Sequence, residues 1–208
     1  MESGRLLDVL LFAKSLYKKI GNSRATLFLG ALYVGIIDIL FPLLAGKDFR
    51  IFTGKTQNVL MENVALLIAS IAVIGFADIL FFSHPMYDLF KLFKREPGHT
   101  DDRGMLIRLM KTYVLAHVLI TPVYVLIILV ANFTGFANNP AAGYILALLD
   151  LVIFIWFCAA ITRGINAIYS FTPLFKRLVF VPVYVWNFIL SNIAFSYMIN
   201  NWIMKLFK

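Results

Sequence analysis

The sequence predicts an all-α fold: a polytopic transmembrane helical bundle of five spans, with the N-terminus cytoplasmic and the C-terminus external. Three observations carry that prediction. Of 208 residues, 61% are hydrophobic and only 14% charged, against roughly a quarter charged in an ordinary soluble domain. Several apolar stretches reach the ~20 residues needed to cross ~30 Å of hydrocarbon. Lys and Arg alternate between dense and sparse in successive connecting segments, as a chain that repeatedly crosses a bilayer requires.

The spans read as about 25–45, 62–83, 110–132, 143–162 and 178–203. Counting Lys111, at the start of the third span, with the segment before it, fourteen Lys and Arg fall on the side of the N-terminus and five on the other side, which makes the first side cytoplasmic. The run from Ala25 follows a polar, partly basic segment without a small-residue cleavage pattern, so no removable signal peptide is expected. Residues 1–208 read as a single integral membrane domain, with "EPGHTDDRG" (96–104) as its one clearly soluble loop. A bacterial cytoplasmic membrane is the expected location.

Two flanking segments have the pattern of amphipathic helices lying on the membrane. In 4–21, Leu6, Leu10, Ala13, Tyr17 and Ile20 recur at helical spacing, with Lys14, Lys18 and Lys19 available to head groups. In 86–98, Met86, Leu89, Phe90 and Phe93 form a stripe that ends at Pro97 and Gly98; a plain helical extension of the second span is an equal reading. The net charge of +8 sits beside the spans. It therefore points to anionic head groups at the cytoplasmic face rather than to nucleic acid. A membrane-protein partner or a homo-oligomer is compatible with this surface.

The phrase "GIIDILF" (35–41) returns as "GFADILF" (75–81), and each copy places an aspartate in an apolar run. A charge at the centre of a span costs about 2.5–3.5 kcal/mol on insertion scales, so such residues face protein or water. Asp38, Asp78 and Asp150 each follow a small residue by three positions: Gly35, Gly75 and Ala147. That spacing places them on seams where helices approach closely. Depth predicts two polar intramembrane layers. The outer one holds Asp38, Asp150 and Asn192; the inner one holds Asp78 and His117, with Lys111 or Arg163 in reach. Pro122, inside the third span, predicts a kink, with Thr121 near the freed carbonyl.

No phosphate-binding loop and no H-E-x-x-H occurs, and His84, His99 and His117 are far apart in sequence. No catalytic residue, metal site or cofactor is expected from such spacing. The lone Cys158 excludes an intrachain disulfide.

The stretches "AKSLYKKIGNSRATLFLGALYVGIIDILFP" and "GINAIYSFTPLFKRLVFVPVYV", with five spans in about 200 residues, resemble the Yip family in its bacterial form. Eukaryotic members are small membrane proteins associated with Rab-type GTPases. Their Asp-Leu-Tyr-Gly-Pro and Gly-Thr-Pro-Gly-Tyr type motifs are absent, so no GTPase partner or functional residue is carried over. The resemblance implies a non-enzymatic membrane protein that works through protein or lipid contacts, as an organiser or trafficking-type adaptor. The alternative is a transporter of a small molecule, ion or lipid, or a membrane subunit of one, with intramembrane aspartates lining a polar cavity. An enzyme working near Asp78, His117 and Arg163 is a third and more distant reading. Water access at the aspartates separates the first two: the adaptor needs none, and the transporter requires it.

Overall fold

A computed structural model describes residues 8–12, 14–21, 23–45, 52–93, 102–133 and 141–207. Its described residues form helices and no strand. A short turn α1 (Lys14–Lys18) precedes α2 (Arg24–Ala45), α3 (Gln57–Leu92), α4 (Asp102–Phe133) and α5 (Ala142–Ile168). A final helical stretch, α6, runs over Pro173–Leu206. Four helical segments are long and apolar enough to cross a membrane: Gln57–Leu92, Gly104–Ala131, Ala142–Ile168 and Pro173–Leu206. The chain is thus an apolar helical bundle of the kind integral membrane proteins use. Helix α2, at 22 residues, packs along α3 and α4.

The two copies of the repeated phrase pack on each other. A methyl group added to Gly35 would run into the carbonyl of Ile71, and one added to Gly75 would run into the carbonyl of Ala31. Each glycine therefore makes room for the backbone of the opposite helix. This is the small-residue contact by which helices associate where lipid gives no hydrophobic drive.

Helix α3 does not stop near residue 83. It runs for 36 residues with Pro85 inside it, so 86–92 continue that helix, the extension reading, rather than form a separate surface helix; 94–98 lie outside the described residues. Proline has no N–H, so Pro85 leaves the carbonyl of Phe81 without its helical donor. The indole Nε1 of Trp186 on α6 supplies one, at 2.9 Å. The extension is also buried where it meets the turn before α6: Phe90 packs against Tyr169, Phe171 and Phe175. That turn ends at Thr172, whose hydroxyl caps α6 by accepting from the Phe175 N–H, with Pro173 in the first helical position.

The N-terminal segment departs from the surface helix expected over 4–21. Its described part is interrupted at Phe12, which has φ 58°, and it is bound to the bundle. Trp156 Nε1 donates to the Leu10 carbonyl at 2.6 Å, and Arg163 Nε donates to the Phe12 carbonyl at 2.8 Å while its Nη2 pairs with Asp8. Tyr17 is fully buried, and its hydroxyl donates to the carbonyls of Leu11 and Ala160. A side chain at Gly164 would collide with Tyr17 and Thr112, so this glycine is what lets α1 seat on α5. Lys111 donates to the Gly21 carbonyl at 2.6 Å, which fixes the exit of the segment.

Candidate functional site

Asp38, Asp78 and His117 come from three helices and meet inside the bundle. One ligating atom from each lies within 4.8 Å of the other two. The geometry follows from the packing: the glycine crossing brings α2 against α3, and each aspartate sits one turn beyond its glycine. Because α3 runs on to Leu92, Asp78 lies well inside its helix rather than near an end. It therefore joins Asp38 instead of forming a separate inner layer.

Tyr113 on α4 orients this cluster. Its hydroxyl donates to both carboxylate oxygens of Asp78, at 3.1 and 2.9 Å. Its ring stacks on Phe82 at 4.2 Å, which locks the phenol in place. One turn later, His117 Nδ1 lies 3.1 Å from the Tyr113 carbonyl. A carbonyl only accepts, so Nδ1 carries the hydrogen of the neutral ring and Nε2 keeps its lone pair. That nitrogen faces Asp78 Oδ2 at 3.9 Å. Oδ2 of Asp38 is buried and has no hydrogen-bond partner among the described residues.

The cluster forms one end of a cleft of about 870 Å³, which extends past Thr121, Tyr124 and Asp150 to Ser191, Asn192 and Ser196. This volume is in the range of small-solute sites. Its described lining includes three aspartates and a histidine, and no Lys or Arg. The wall given by α6 is π-helical over Ile189–Phe195 and Ile199–Ile203, a local widening that recurs at functional sites. Asn192 lies in the first of these stretches and donates to the Phe188 carbonyl at 3.3 Å.

The structure redistributes the residues assigned to two layers by depth. Asp38 sits with Asp78 and His117, not with Asp150. Asp150 is exposed and accepts from the Tyr124 hydroxyl at 2.9 Å. Asn192 lines the same cleft as Asp38 and Asp150. Arg163 is turned to the N-terminal segment, and Lys111 to Gly21, so their charges are engaged there. Thr121 donates at 2.7 Å to the His117 carbonyl, one residue before the carbonyl that Pro122 frees. Sequence reading passed over Tyr113 and Tyr124; the signal available was their spacing from His117 and Thr121 on one polar face of α4.

No protein-family model matches the chain, and no curated protein or solved structure is significantly similar to it.

Proposed function

We propose that this chain is a transporter, or the membrane subunit of one, that takes a small cationic solute into the cleft lined by α2, α3, α4, α5 and α6. The observation that carries this reading is the polar part of the lining: three aspartates, a histidine and hydroxyl groups, with no Lys or Arg among the described residues. In a low-dielectric bundle such a surface favours cations strongly. The five-span arrangement with α2 as the first crossing, a cytoplasmic N-terminus and an external C-terminus belongs to the same proposal. It rests on the 22-residue helix and the Lys and Arg asymmetry.

The contact-based adaptor implied by the Yip resemblance has less support. It would use 4–21 and 86–98 as free surfaces, and one face of the described part of each is engaged by the bundle, through Tyr17 and through Met86 and Phe90, while Val9, Leu16 and Leu92 stay exposed.

Cysteine accessibility tests the transport reading. In a Cys158→Ser background, Asp38→Cys and Asp150→Cys are each labelled from outside by a membrane-impermeant thiol reagent. Labelling of both in folded protein is expected. Protection of both would show a dry bundle and remove the proposal.

A further inference from the structure

We infer that Asp38, Asp78 and His117 form a binding site for a divalent first-row transition-metal ion, which is the cargo of the cleft. The inference deepens the transport reading and rests on it for the ion's role as cargo; the site itself stands on its own geometry.

Three features point to a metal. The first is the donor set. Two carboxylates and one imidazole suit Zn²⁺, Mn²⁺, Fe²⁺ or Co²⁺, whereas Mg²⁺ and Ca²⁺ prefer oxygen alone. Ligands around such an ion are about 3.4 Å apart for bonds of ~2.1 Å. The three atoms already lie within 4.8 Å of one another, with His117 Nε2 3.9 Å from Asp78 Oδ2, and Asp38 Oδ2 makes no hydrogen bond that would compete with an ion.

The second feature is the surrounding shell. A ligating histidine commonly donates its other N–H to a carbonyl, and a ligating carboxylate is itself hydrogen-bonded. His117 Nδ1 against the Tyr113 carbonyl and Tyr113 Oη against Asp78 meet both conditions. The free Nε2 lone pair is left facing the carboxylates.

The third is charge. Two carboxylates this close inside an apolar bundle repel unless a cation or a shared proton lies between them. Among the described residues no Lys or Arg lines the cleft beside either aspartate, and a divalent ion would neutralise the pair. The side of the cluster facing the cleft leaves coordination positions for water, the arrangement of an exchangeable site rather than a closed structural one.

The test is a titration of the purified full chain in lipid nanodiscs with Co²⁺, followed by its visible d–d absorption. Saturable binding of one ion per chain is expected. Asp38→Asn, Asp78→Asn and His117→Gln should each weaken it more than ~100-fold, and Tyr113→Phe by ~10–100-fold, the usual range for an outer-shell partner. His84→Gln, outside the cleft lining, should leave it unchanged. A measurement without variants guards against misfolding: pulsed electron paramagnetic resonance of bound Mn²⁺ should show coupling to one imidazole nitrogen. Absence of saturable binding, binding that survives all three ligand substitutions, or Mn²⁺ without a coupled imidazole would overturn the site. The shared-proton alternative gives the first of these results. Labelled cysteines at 38 and 150 without metal binding would overturn the metal inference and leave transport standing. Bound metal with protected cysteines would instead overturn the assignment of the ion as cargo.

Discussion

Trp186 donates its indole N–H to the carbonyl of Phe81 at 2.9 Å, the carbonyl that Pro85 deprives of its helical donor. One side chain on α6 thus lets α3 pass through a proline and continue to Leu92. The continuation buries Met86 and Phe90, so a single hydrogen bond is tied to a sizeable part of the packing beneath α6.

Trp186→Phe should therefore destabilise the bundle by about 1–2 kcal/mol, measured by equilibrium unfolding in mixed micelles. A double-mutant cycle makes the cause specific. Pro85→Ala returns the N–H to α3, so in that background the same substitution should cost much less. Equal costs in both backgrounds would separate Trp186 from the proline.

Gly75→Ala should cost about 1–3 kcal/mol, the range for forcing extra volume into a packed interface. The obstacle is backbone, which cannot rotate aside. Gly143→Ala, with open space around it, is the control and should be neutral or slightly stabilising through helix propensity. Comparable losses at both positions would rule out the close crossing of α2 and α3.

Arg163→Gln should release the N-terminal segment while leaving the bundle folded. The guanidinium holds both Asp8 and the Phe12 carbonyl, and limited proteolysis should cut within 8–18 faster in the variant. Asp8→Asn should have a smaller effect, because the Asp8 side chain is 50% exposed and an exposed ion pair contributes little. Unchanged cleavage in Arg163→Gln would mean that Trp156 and Tyr17 hold the segment without it.

Burial pushes the Tyr17 phenol up from 10.0 to about 12, with the positive charge of Arg163 opposing the shift. A folded-state value above the unfolded one stabilises fully below about pH 10, and that contribution is lost as pH rises towards 12. The loss is about 2–3 kcal/mol at ~1.4 kcal/mol per unit. Stability curves of wild type and Tyr17→Phe should therefore converge between pH 10 and 12. A constant gap across that window would mean that the phenol does not titrate with unfolding.

The apolar spans were legible because hydrocarbon thickness sets a length that sequence displays directly. The glycine and aspartate phrases were legible as packing devices, and Gly35 and Gly75 act as such. That they pack on each other was not, since helix pairing is absent from a linear pattern. Whether 86–98 extends the second helix or lies on the membrane is open in the sequence, because the donor that serves the Phe81 carbonyl lies 105 residues away. Depth alone put Arg163 beside Asp78, but rotation about the α5 axis decides what a side chain faces, and Arg163 faces Phe12. The cluster of Asp38, Asp78 and His117 escaped motif reading because each ligand comes from a different helix.

The meeting of α2, α3 and α4 at one polar point also constrains how the protein is made. Synthesis runs from the N-terminus, so Asp38 reaches the membrane before Asp78, Tyr113 or His117 exists. At roughly 5–20 residues per second, the interval to His117 is about 4–16 s. Until then the cluster around Asp38 is incomplete, and on the proposed arrangement its helix would bear the cost of a polar group in lipid. If α2 is the first crossing of the proposed five-span arrangement, it would be held at the insertion machinery or the interface until α4 arrives, so that the first three long helices would enter the bilayer as one unit of assembly.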